Sequence, residues 1–281
     1  MVRFSCSRIS EDMTPVIRDI EIAKFAEKVL CDYRPELLDI SLYGDDPYYE
    51  PALLNPYDFA EKYLGANLEI HDIYTESSRD VIAGAAVFNE QIVKVFDKDR
   101  MCTREILVEP NTILLDNGTV DRLNKGFEFF TVMHEAGHLM MHQMVYRKDP
   151  DTDESTVLCK RSNIGRSPDG LNTSEDFREH QANTFAASML MPPRLFIPYV
   201  QGLMRRNGRF DDEIMITWSV NDGSNKYWRY REIVRLAAQQ FGVSRRAAEV
   251  QLAKYGLQAP PKDDRVKEAR RRLRMYQSLY R

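Results

Sequence analysis

The sequence predicts an α+β fold: a small β-sheet beside two long helices, followed by a mainly helical C-terminal region. Segments rich in β-branched residues crowd positions 67–115, separated by Gly, Asp, Asn and Pro. Helical periodicity then appears on both sides of a long polar stretch, and it resumes toward the C-terminus.

From Pro15 to about Tyr33, Val16, Ile20, Ala23, Ala26, Val29 and Leu30 recur at helical spacing, and Pro35 ends the pattern. Proline and aromatic residues crowd Pro47 to Pro56, and Tyr57 to Leu64 reads as a short helix ended by Gly65. Asn67–Ile73, Val81–Phe88, Ile92–Phe96, Glu105–Val108 and Thr112–Leu115 read as strands of one sheet. A helix is expected from about Phe127 to Tyr146. The polar stretch Lys148–Asn172 has no clear period and reads as a loop, either gating a site or lying on the surface. Thr173-Ser174-Glu175-Asp176 supplies an N-cap and an acidic first turn for a helix that should stop near Met191, before Pro192 and Pro193. After a middle segment containing Trp218 and Trp228, the remainder reads as helical to the end. The expected division is a core with N-terminal helices over residues 1–200 and a C-terminal region over 201–281.

The 281 residues are long enough to bury a real core without help from a cofactor. With 43% hydrophobic and 29% charged residues, the chain fits an ordinary globular protein rather than a disordered or fibrous one. A net charge of -4 supplies no general field for nucleic acid, so specific nucleic-acid binding is not expected. No segment has the apolar length of a membrane span and the N-terminus has no apolar signal region, so the expected location is the cytoplasm. Cys6, Cys31, Cys102 and Cys159 lie far apart with no C-x-x-C pair, which argues for reduced thiols rather than a cysteine zinc site.

Chemistry enters with His134-Glu135-Ala136-Gly137-His138, an H-E-x-x-H sequence inside the expected helix. Residues i and i+4 share a helix face, so the two imidazoles can share one metal. A catalytic zinc takes three protein ligands and keeps a position for water. Glu135, beside the first ligand, could then take a proton from that water as general base. The third ligand has to come from elsewhere. A metzincin would carry a histidine six positions after His138, where Met144 stands. The later helix offers Glu175, Asp176, Glu179 and His180. Glu175 and Asp176 are explained by the helix dipole, and His180 points about 100° away from Glu179. Asn183 lies at i+4 from Glu179 and could orient a ligand, so Glu179 is the choice. His142, one turn beyond His138, suits a core or supporting role better than ligation, and His71 has no context that marks it out.

The chain resembles the ImmA/IrrE family of zinc metallopeptidases. The resemblance runs from roughly Val16 to Leu257. It rests on Val81–Asn89 with Ile92–Asp97, on Thr112–Asn117, on His134–His138, and most specifically on Glu179 to Pro192. It implies a zincin-like core binding Zn2+ through His134, His138 and Glu179, with Glu135 as general base. It also implies a regulatory endopeptidase acting on a protein substrate such as a transcriptional repressor, often encoded on mobile elements. A scissile strand would be expected to dock along an exposed edge at Thr112–Asp116.

Residues of about 231–257 resemble a helix-turn-helix, with Ala238 four before Gly242 and Ser244 capping the next helix. Packing of a helical hairpin against the core explains the same pattern better. The tail 262–281 is basic, with Arg270-Arg271-Arg272. The competing reading is a DNA-binding regulator whose peptidase core is inactive. The intact H-E-x-x-H with Glu179 favours the enzyme, because an inactive relative would be free to lose these residues.

Overall fold

The segments expected to form one sheet form two in the computed structural model, which describes residues 1–39, 53–75, 82–120, 125–146, 156–160, 172–206, 214–216 and 226–280. β1 (Asn67–His71), β2 (Ile82–Val87), β5 (Thr112–Asp116) and β6 (Thr156–Lys160) make a four-stranded sheet in the order β1-β5-β2-β6. β3 (Gln91–Asp97) and β4 (Cys102–Val108) form a separate antiparallel hairpin, with Gln91 opposite Val108 and Asp97 opposite Cys102. Burial explains the split. Every residue of β2 is buried, as in a strand covered on both faces, whereas Ile92 and Leu107 of the hairpin face solvent. Alternation along β2 sends Ala85 and Val87 into an apolar cluster with Val93, Val95 and Val108 of the hairpin. The other face of β2 is left for a helix.

Two further expectations change here. β5 is an interior strand, paired in parallel with β1 and antiparallel with β2, so Thr112–Asp116 has no free edge for a substrate. Its run Ile113-Leu114-Leu115, fully buried, is the pattern of a central strand. The polar stretch 148–172 also contains structure, because Thr156–Lys160 is β6, antiparallel to β2. Its other residues, apart from Asn172, lie outside the described ones.

α1 (Asp19–Tyr33) starts later than its apolar periodicity, since Pro15 instead bridges to Ile9. The short helix is α2 (Pro56–Asp58), capped by Asn55 Oδ1 and continued by a wider turn over Phe59–Tyr63. The helix expected to reach Tyr146 is divided at His142 into α3 (Lys125–Met141) and α4 (Gln143–Tyr146). α5 (Ser174–Leu190) has the capping box its sequence announced: Thr173 Oγ1 accepts from Asp176 N at 3.1 Å and Asp176 Oδ2 accepts from Thr173 N at 3.0 Å.

The chain groups into two compact units, Met1–Phe25 with Leu54–Ala186, and Ala26–Leu53 with Ala187–Arg281. The second therefore joins a segment from the N-terminal third to the C-terminal helices, whereas chain position alone places a division near residue 200. It holds α6 (Pro193–Arg206), α7 (Lys226–Gln240), α8 (Arg245–Lys254) and α9 (Asp263–Gln277). Two-residue strands β7 (Met215–Ile216) and β8 (Gln258–Ala259) pair in parallel among them, which helical periodicity does not foresee. Its centre is aromatic. Phe196 packs on Phe241 and Tyr255, and the buried Tyr255 hydroxyl donates to Met191 O at 2.8 Å. Among the described residues, no helix is long and apolar enough to cross a membrane.

Candidate metal centre

α3 is buried nearly all round from Phe130 to Met141, so its polar residues sit in the interior of the first unit. Val132, Met133, Ala136 and Leu139 supply apolar burial of about 1.5–3 kcal/mol for each large side chain. That burial offsets the cost of placing His134, Glu135 and His138 where none is exposed. Two glycines set the distances to the neighbours. A Cβ on Gly137 would lie 3.1 Å from Phe185 Cδ1 and 3.4 Å from Ala182 Cα, so its absence lets α5 approach closely. A Cβ on Gly84 of β2 would lie 2.9 Å from Thr131 Cγ2, 2.9 Å from Leu114 O and 3.2 Å from Glu135 Oε1. Glu135 therefore rests over the bare backbone of β2.

The approach of α5 brings a carboxylate to the two imidazoles. His134 Nε2 and His138 Nε2 are 3.1 Å apart. Glu179 Oε1 lies 3.2 Å from His138 Nε2, and Glu179 Oε2 lies 3.5 Å from His134 Nε2. Ligands at 2.0–2.1 Å from a tetrahedral ion are separated by about 3.3 Å, the edge of that tetrahedron. The two imidazole nitrogens are separated by close to this value and each has one Glu179 oxygen at a similar distance, and His134, His138 and Glu179 are the group among the described residues whose donor atoms could hold a metal.

Protonation fits as well. His134 Nδ1 lies 3.1 Å from Asn183 Oδ1, an amide oxygen that can only accept, so Nδ1 carries the hydrogen and Nε2 presents a lone pair. Burial pushes the pKa of His138 down, against the pull of Glu179, which favours the neutral ring a metal needs. Burial also opposes ionisation of Glu179, but in the metal-free chain positive charge and N–H donation from His134 and His138 outweigh it and hold its carboxyl well below the usual carboxylate range, a part that a cation between neutral rings would take over. Glu179 Oε2 makes no hydrogen bond among the described residues. A carboxylate and an imidazole lone pair facing one buried point make a site for a cation.

The structure thus brings together His134, His138 and Glu179, with Glu135 next to the first on α3. Asn183 reaches His134, one of the three clustered residues. Glu175 and Asp176 stay in the first turn of α5, away from the cluster, with Asp176 serving as the cap. His180 leaves the cluster and pairs with Asp19 at 2.8 Å. His142 is fully buried, with Nδ1 3.0 Å from His138 Nδ1, and burial pushes its pKa well down. His71 pairs with Glu69 outside the site. Sequence reasoning missed Gln181, whose Oε1 lies 3.0 Å from His142 Nε2. Two positions from Glu179, it projects about 200° around the helix from that ligand, so periodicity offered no signal for it.

Comparison with known proteins adds a family. A family model described as the IrrE N-terminal-like domain, Peptidase_M78, matches residues 94–253. No curated protein matches the chain. A solved structure titled Mycobacterium tuberculosis transcriptional regulator is similar at 13% identity and a TM-score of 0.38, covering 83% of this chain. The chain spans 46% of the length of that structure.

Proposed function

Because the chain belongs to the Peptidase_M78 family of IrrE N-terminal-like domains, we propose that it is a zinc-dependent endopeptidase, with His134, His138 and Glu179 as the ligands and Glu135 as the general base. The observation that carries this is the convergence of two imidazole nitrogens and one carboxylate at 3.1–3.5 Å in a buried site. Two histidines and a glutamate are a ligand set of catalytic zinc, and His134, His138 and Glu179 would hold the ion. When bound, zinc acts as a Lewis acid and lowers the pKa of water to about 7.

The chain's own residues supply the rest. His134 is oriented by Asn183, which fixes its lone pair toward the site. Glu135, held over Gly84, takes the proton from the attacking water and returns it to the leaving amine, which avoids expelling an amide anion. The fully buried run around Glu135 restricts bulk water. The substrate we propose is a protein, a transcriptional repressor being the choice that the family resemblance favours.

The test is incubation of the zinc-loaded protein with a proteome-derived peptide library, followed by mass spectrometry of new termini. Cleavage present in the native chain and lost in Glu135→Gln supports the reading. Equal cleavage by the two, or failure of the native chain to take up zinc at neutral pH, would refute it.

A further inference from the structure

We infer that His142 and Gln181 are positioning residues that hold His138 in the tautomer able to ligate a metal, and that the Pro15 carbonyl anchors them from the N-terminal segment. The inference rests on the metal reading of the site and extends it to residues beyond the ligands.

The hydrogens of the network are fixed from Pro15 inward. Gln181 Nε2 donates to Pro15 O at 2.7 Å, which fixes the amide so that its oxygen faces the other way. That oxygen, Oε1, lies 3.0 Å from His142 Nε2. An amide oxygen only accepts, so the hydrogen of this bond sits on His142 Nε2. Neither ring partner of His142 is an anion, and the ring is fully buried, so it is neutral and carries a single N–H. Its Nδ1 is then bare. This bare nitrogen lies 3.0 Å from His138 Nδ1, which must provide the hydrogen between them. His138 therefore keeps Nδ1–H and turns an unprotonated Nε2 toward His134 Nε2 and Glu179 Oε1.

The alternative shows what the relay prevents. With the hydrogen on Nε2, His138 would donate to Glu179 Oε1 at 3.2 Å, and both would be withdrawn from a metal. Bulk water cannot substitute for the relay, because His138 and His142 are fully buried and Gln181 is 3% exposed. Pro15 suits the outer end because its carbonyl is held by a turn: Thr14 is buried, and Arg178 from α5 reaches Thr14 Oγ1 at 2.8 Å and Asp12 at 3.1 Å.

The experiment combines nitrogen-15 NMR of the imidazoles, in the metal-free and zinc-loaded native protein, with zinc affinities of two variants measured by chelator competition. Expected are a proton on Nδ1 of His138 and on Nε2 of His142 in both states. His142→Leu fills similar space but offers no acceptor, and should weaken zinc about 10–100-fold, the range for lost partners of metal ligands. His142→Asn places an oxygen near the former Nδ1, so it should recover most of that affinity. A role in packing alone predicts the reverse order, with Leu at least as good as Asn, and that result would overturn the inference. So would a proton on Nε2 of His138 in the metal-free native protein, a measurement independent of whether any variant folds. Zinc uptake with reversed tautomers would overturn the relay alone. The stated tautomers without zinc uptake would overturn the metal reading and with it the purpose assigned to the relay.

Discussion

Replacing Glu179 with Ala should abolish most of the stabilisation that zinc gives the fold, while Glu135→Gln should leave it intact. Zinc at a hundred times its Kd stabilises a protein that binds it only when folded by about 2.7 kcal/mol. For units of this size each kcal/mol moves Tm by about 2–4 °C, so the native protein should gain roughly 5–11 °C. Glu179 supplies both carboxylate oxygens that face the imidazoles, at 3.2 and 3.5 Å, so its loss leaves two neutral nitrogens as the only donors of the cluster. That should weaken binding at least as much as losing a supporting partner, about 100-fold. At the same zinc concentration the stabilisation then falls to about 0.4 kcal/mol, a shift of roughly 1–2 °C. Differential scanning fluorimetry with and without zinc measures this directly. A full shift in Glu179→Ala, or none in Glu135→Gln, would refute the assignment of ligand and base.

Other consequences follow from the same geometry. Glu135→Gln should reduce cleavage by about 10²–10⁴-fold, the contribution of a positioned general base, with zinc content unchanged by elemental analysis. His138 and His142 have pKa values below the usual 6.5, so below that pH the unfolded chain binds more protons than the folded one. Stability of the metal-free protein should therefore fall as pH drops below 6.5, by up to about 1.4 kcal/mol per pH unit for each ring. Denaturant titrations that are flat from pH 7 to 5.5 would contradict this. Gly84→Ala forces a methyl to 2.9 Å from Thr131 Cγ2 and Leu114 O and 3.2 Å from Glu135 Oε1. It should cost about 1–3 kcal/mol and depress cleavage more than zinc binding, as chemical denaturation and chelator competition can separate.

The parts of the site that sequence made legible are those written within one helical turn. His134 and His138 are i and i+4, and Thr173 to Asp176 close a capping box, because both patterns depend only on local geometry. Glu179 was accessible through Asn183, although Asn183 turned out to serve His134 across the two helices. The relay to Pro15 was hidden because it joins residues more than 160 positions apart. Sheet order was hidden for a related reason. Periodicity tells which strands are half-buried and which are fully buried, but partners are set by tertiary pairing. The strand Thr156–Lys160 lies inside a polar stretch that by composition reads as loop, and its antiparallel pairing with β2 overrides that local preference.

The helical pair α7–α8 bears on the competing reading of the chain as a DNA-binding regulator. Gly242 adopts φ +62° at the turn and Ser244 Oγ accepts from Ala247 N at 3.0 Å, so the local signal for a tight turn and capped helix was sound. A turn of this kind serves packing as readily as recognition, and the side chains distinguish the two. Ala248, Gln251 and Leu252 of α8 are buried. Gln251, being buried, is withdrawn from any reading of bases by this helix. Arg245 and Arg246 remain exposed, and Glu249, 3.8 Å from Arg246, dilutes the positive charge they offer to phosphate. Two arginines at the start of a helix suit backbone contact, whereas discrimination between bases needs several groups reaching their edges. The family match ends at residue 253, within α8, so the matched region includes this pair as well as the metal centre, although the two lie in different compact units. The arrangement therefore weighs toward α8 as a packed element of a peptidase-family domain.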